Sequence, residues 1–90
     1  MAKPLALVVE DDPQQNQIFT LALKNSFEVE AISDGSQAIS RLAKVTPRLI
    51  VLDINLPGAS GAKVLEVIRK DKRFSSTRVI LATANSQEAE

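Results

Sequence analysis

Leu49-Ile50-Val51-Leu52-Asp53-Ile54-Asn55-Leu56-Pro57-Gly58 sets four aliphatic residues in a row, closes them with a carboxylate, and follows with turn residues. A short all-apolar run bounded by turn signals is the pattern of a strand buried on both faces, which is the habit of parallel sheets. The same plan occurs upstream, where Leu5-Ala6-Leu7-Val8-Val9 runs into Glu10-Asp11-Asp12-Pro13. Two buried strands that each deliver acid at their carboxyl end are the core of the prediction.

Helical and strand signals fill the intervals. Asp12-Pro13 supplies an N-cap and a proline at the first helical position, and Ile18, Leu21 and Ala22 then predict a helix running to about Lys24. Phe27, Val29 and Ala31 alternate with Glu28 and Glu30, as in a short strand near the sheet edge. Ser33-Asp34-Gly35 is turn chemistry, after which Ala38, Ile39, Leu42 and Ala43 predict a second helix closed by Thr46-Pro47. Pro57, Gly58 and Gly61 mark a loop; Val64, Leu65 and Ile68 form the stripe of a third helix ending near Lys72, with Glu66 and Lys70 spaced to meet. Arg78 to Thr83 reads as a fourth strand, and Asn85 to Glu90 as the start of another helix. The order βαβαβαβ predicts one α/β domain, a doubly wound parallel sheet with right-handed crossovers.

Composition removes several function classes. The 90 residues include no Cys and no His, so disulfides, thiolate or imidazole zinc sites and Ser-His or Cys-His nucleophile pairs are excluded. Eleven basic and eleven acidic residues cancel, which lacks the electrostatic footprint of a nucleic-acid binder. The longest apolar run, Leu5 to Val9, is too short for a membrane span or a secretory signal, so a cytoplasmic protein is expected. Gly35, Gly58 and Gly61 have spacings that form neither GxGxxG nor GxxxxGK(S/T), so the glycine-based phosphate-cradling loops are absent.

In such sheets ligands bind beyond the carboxyl ends of the strands, where strand order reverses. If the first and third strands are neighbours, Glu10, Asp11 and Asp53 converge there. Crowded carboxylates call for a cation, and with only oxygen ligands on offer the hard ion Mg²⁺ fits best. A carboxylate beside such an ion can attack phosphorus, and Thr83 at the end of the fourth strand could donate its hydroxyl to a phosphoryl oxygen. The plainer alternative is that Glu10-Asp11-Asp12 is a solvated helix-capping turn and Asp53 a turn cap.

Taken together, Val8-Val9-Glu10-Asp11-Asp12-Pro13, Leu49 to Gly61 and Val79-Ile80-Leu81-Ala82-Thr83-Ala84 resemble the receiver domain of two-component response regulators. The resemblance implies a flavodoxin-like fold with strand order 2-1-3-4. It implies that Asp53 accepts a phosphoryl group from a phosphohistidine of a histidine kinase or phosphotransfer protein, and that Glu10, Asp11, Asp53 and the Asn55 carbonyl hold Mg²⁺. Thr83 is then the phosphoryl contact, Ala84 leaves room for phosphate, and Asn55 and Asn85 tune the lifetime of the acyl phosphate.

A complete receiver has a fifth strand and a fifth helix, so residues 1–90 are expected to be a receiver fragment lacking both, impaired in switching. That expectation leaves the Val79-Ile80-Leu81-Ala82 edge open to self-association, for example as a homodimer. The expected function is a binding and switch module rather than an enzyme, without nucleic-acid or membrane partners. Two alternatives are an idle structural fragment that self-associates, and a Mg²⁺-dependent phosphatase with an Asp nucleophile. Asn55 stands where such phosphatases carry a second Asp, which weighs against turnover.

Overall fold

A computed structural model describes residues 2–82. Along the chain run β1 (Leu5–Val9), α1 (Pro13–Leu23), β2 (Glu28–Ile32), α2 (Gly35–Leu42), β3 (Leu49–Asp53), α3 (Gly61–Lys70), a 3-10 turn (Lys72–Phe74) and β4 (Arg78–Ala82). The expected βαβαβαβ order is present. Thr83, Ala84 and the helix expected from Asn85 lie outside the described residues.

All neighbouring strands pair in parallel, in the order β2-β1-β3-β4. Right-handed crossovers then dictate the layers: β1 to β2 steps one way across the sheet, β2 to β3 and β3 to β4 step the other, so α1 lies on one face and α2 and α3 on the opposite one. The main core forms under α2 and α3, where Leu7, Val9, Ile50 and Leu52 meet Ala38, Leu42, Val64, Ile68 and Phe74. Alternation along the strands sends Ala6, Val8, Leu49 and Val51 to the other face, and all four are also buried. Both central strands are thus covered on both sides, as their unbroken apolar runs predict.

Local chemistry fixes the helix boundaries. Asp12 caps α1 by accepting from the Gln14 N–H at 3.0 Å, with Pro13 following as expected. Asp34 caps α2 by accepting from the N–H groups of Ser36 and Gln37, so Gly35 is the first residue of that helix rather than part of the turn before it. Helix α2 ends at Leu42, ahead of the expected stop at Thr46-Pro47, and α3 ends at Lys70 with the 3-10 turn in place of its last turn. Asp71 caps that turn, and its Phe74 plugs the core beneath α3. Glu66 meets Lys70 at 3.0 Å as its spacing predicts, and Lys63 at 3.4 Å.

Helix α1 departs from expectation. Ile18 and Leu21 are 59% and 51% exposed, and Asn16 is the buried residue of the helix. The face turned to the sheet is Asn16, Phe19, Thr20 and Leu23, spaced i, i+3, i+4, i+7, so the Ile18-Leu21-Ala22 stripe points away from it. Two polar residues in the inward set conceal it from a hydrophobic count. Strand β2 is likewise shifted by one residue, ending at buried Ile32.

Ile50→Ala is expected to cost about 2–5 kcal/mol in urea unfolding, because it opens a cavity between two helices and the sheet. Ile18→Ala is expected to cost less than about 1 kcal/mol, since much of that side chain is already in water. Equal losses would contradict this seating of α1.

Candidate functional site

The reversal of strand order falls between β1 and β3, whose register pairs Val9 with Leu52. Glu10 and Asp53 each follow one of that pair. The chain then leaves β1 towards α1 on one face and β3 towards α3 on the other, which opens a crevice at the carboxyl ends of the two strands. One carboxylate oxygen each from Glu10, Asp11 and Asp53 lies within 4.8 Å of the other two. Glu10 is 6% exposed and Asp53 5%, while Asp11 faces solvent.

Each side chain has a local reason for its place. The Glu10 N–H extends the sheet by donating to the Ile32 carbonyl at 2.8 Å, and Glu10 Oε2 accepts from the Asp12 N–H at 3.0 Å. Asp53 Oδ1 accepts from the Asn55 N–H at 3.2 Å, so the loop after β3 turns back onto the carboxylate it follows. Of the other expected site residues, Asn55 is exposed on that loop and Thr83 lies outside the described residues.

The group fits a hard cation. It offers oxygen donors only, and two of its three carboxylates are buried. The ion pairs among the described residues use Glu30, Glu66 and Asp71 instead, and none of them involves the cluster. Burial, with the nearby charges of Asp53 and Asp11, pushes the Glu10 carboxyl from the ordinary 4.5 up to about 6, against the lowering effect of the Asp12 N–H. A divalent ion bound by oxygen ligands removes that conflict.

Asn16 is the participant that sequence reasoning missed. Its Nδ2 donates to the carbonyls of Glu10 at 3.0 Å and Val8 at 3.2 Å, with the Ile32 carbonyl 3.5 Å away. Thr20 Oγ1 in turn donates to Asn16 Oδ1 at 3.3 Å. One buried amide thus ties the ends of β1 and β2 together directly beneath Glu10. The available signal was the pairing of Asn16 and Thr20, four apart, on the same helical face as Phe19 and Leu23.

A carboxyl raised in the folded state adds stability below its unfolded value and loses that contribution as pH rises through the folded one. In chelator-treated buffer the chain is therefore expected to lose on the order of 1–2 kcal/mol from Glu10 as pH rises from about 4.5 to about 7. Glu10→Gln should flatten that slope in urea titrations, and an unchanged slope would acquit Glu10.

Comparison with known proteins agrees with this geometry. Residues 6–90 match the response regulator receiver domain family. The chain is 36% identical over 86 residues to hybrid signal transduction histidine kinase D of Dictyostelium discoideum, covering 96% of this chain and 6% of that protein. It is 37% identical over 81 residues to the DNA-binding response regulator MtrA of Mycolicibacterium smegmatis, covering 89% of this chain and 34% of that one. Both relatives are thus far longer than the part matched here. Among solved structures, the receiver domain of sensor histidine kinase PA1611 from Pseudomonas aeruginosa, with a magnesium ion coordinated in its active-site cleft, superposes with a TM-score of 0.85 at 27% identity, over 94% of this chain and 70% of that one. With its 2-1-3-4 parallel sheet and acidic switch point, the chain belongs to the response regulator receiver domain family of two-component signalling.

Proposed function

We propose that this receiver domain is a phosphoacceptor: Asp53 takes a phosphoryl group from a phosphohistidine of a histidine kinase or phosphotransfer protein. One observation carries the proposal, the convergence of Glu10, Asp11 and Asp53 within 4.8 Å at the switch point. An Asp53 carboxylate oxygen attacks phosphorus, the P–N bond to the donor imidazole breaks, and the imidazole leaves with the bond's electrons and takes up a proton. Asp53 becomes an acyl phosphate.

The residues divide the work. The Asn55 N–H on Oδ1 orients the Asp53 carboxylate, and burial keeps it away from bulk water. Glu10 and Asp11 would hold Mg²⁺ beside Asp53, with the Asn55 carbonyl as a further oxygen, and Thr83 would contact the phosphoryl group. Bound Mg²⁺ supplies neutralisation of the charge on the phosphoryl oxygens. The PA1611 receiver, with magnesium in its active-site cleft, supports the same ion here. Asn55, two residues beyond the nucleophile, can neither donate nor accept a proton as a phosphatase acid would, which favours a switch module over an enzyme.

Incubation with acetyl phosphate and Mg²⁺ is expected to add one phosphoryl mass to the native chain and none to Asp53→Ala, read by intact-mass spectrometry. An adduct on Asp53→Ala, or none on the native chain with saturating Mg²⁺, would contradict the assignment.

The fourth strand favours a second association. Among the described residues β4 pairs only with β3 and carries Ile80 and Leu81, 50% and 49% exposed. We infer that this edge joins a second copy of the chain. Light scattering at tens of micromolar should report a dimer that Ile80→Lys dissociates; a monodisperse native monomer would contradict the contact.

A further inference from the structure

The loop after Asp53 is held at its far end by the first residues of α2. Gly35 N–H donates to the Pro57 carbonyl at 3.1 Å, and Ser36 Oγ accepts from the Ala59 N–H at 3.2 Å. The backbones touch so closely that a Cβ on Gly35 would fall 1.7 Å from the Ala59 carbonyl oxygen, a position that only glycine can occupy. Gly58, in the left-handed region at φ +73°, brings its backbone against the cap of the same helix: a Cβ there would lie 2.6 Å from Asp34 Oδ1. Asp34 is itself locked by accepting from Ser36 N–H at 2.7 Å and Gln37 N–H at 3.2 Å.

The loop's near end is anchored to β3 and α3. Gly61 N–H donates to the Ile54 carbonyl at 2.9 Å, and the Asn55 N–H holds Asp53 Oδ1. Between these anchors, residues 55–59 form a short span with one end on the acceptor carboxylate and the other on the start of α2. None of Asp34, Gly35 and Ser36 belongs to the carboxylate cluster, and that span is the direct covalent path from their hydrogen-bond partners Pro57 and Ala59 back to Asp53.

We propose that Asp34-Gly35-Ser36 is a positioning clamp for the acceptor loop, fixing the Asn55 backbone against Asp53 from a different crossover of the sheet. The clamp rests on the phosphoacceptor function proposed above and adds that loop order, set by helix α2, controls the site's affinity for its ion. Partners that orient metal ligands from outside typically change affinity by about ten- to a hundredfold when removed.

Ser36→Ala tests the clamp, because it removes the hydroxyl that accepts from Ala59 while leaving the cap at Asp34 and the glycine contact in place. Ser36→Thr keeps an oxygen there. Magnesium chloride titrations by calorimetry, with amide hydrogen exchange on the ion-free proteins, give readouts independent of phosphorylation. Ser36→Ala is expected to speed exchange of the Ala59 amide about three- to tenfold, as loss of one hydrogen bond allows. It should weaken Mg²⁺ binding by about tenfold at nearly unchanged unfolding midpoint, with Ser36→Thr restoring both. Native-like exchange and affinity in Ser36→Ala would overturn the clamp while leaving the phosphoacceptor assignment intact. A native chain that binds no Mg²⁺ would overturn that assignment and the clamp with it.

Discussion

Repulsion among carboxylates that the sheet forces together is the constraint on which the rest of this structure depends. β1 and β3 are adjacent, parallel and buried on both faces, and each hands its chain to a carboxylate at the same end. Parallel strands lie about 4.8 Å apart, so acids that end neighbouring strands cannot separate without breaking the sheet. The apolar runs that stabilise the fold thus create an electrostatic conflict at its rim. Glu10 carries the visible cost, with its carboxyl held up to about 6 by burial and by the acids beside it.

The surroundings prevent the cluster from relaxing. Asn16 ties the Val8 and Glu10 carbonyls to α1 and sits within reach of the end of β2, so the backbone under Glu10 cannot swing outward. The Asn55 N–H holds Asp53 from the other side, and its loop is pinned at Ile54 by α3 and at Pro57 and Ala59 by the start of α2. A cluster that cannot spread and is paired with no cation among the described residues is relieved by binding one. This is the physical sense in which a receiver domain is prepared for a divalent ion before the ion arrives.

Much of this was legible in the residues. The two acid-tipped apolar runs disclosed the central strands, and Asp12-Pro13 the start of α1, because burial on both faces and helix capping are local properties written in consecutive residues. The convergence of Glu10, Asp11 and Asp53 followed once those strands were taken as neighbours. Helix α1 was less legible, because its inward face is half polar: Asn16 and Thr20 serve the strand ends rather than the core, and the more apolar Ile18-Leu21-Ala22 set lies outside. The link between Gly35 and Ala59 was hidden for a different reason. It joins residues far apart in sequence through backbone contact, and Ser33-Asp34-Gly35 by itself reads only as a turn.

The central claim is that the carboxyl ends of β1 and β3 form one cation site. Manganese, which shares magnesium's preference for oxygen ligands, tests it most directly when titrated at substoichiometric levels into the ¹⁵N-labelled chain. Paramagnetic broadening is predicted to appear first at the amides of residues 10–12 and 53–55, and to vanish when Asp11 and Asp53 are both changed to asparagine. Broadening centred on Glu28 or Glu66, or unaltered by those substitutions, would show that the acids at the switch point do not act as a single site.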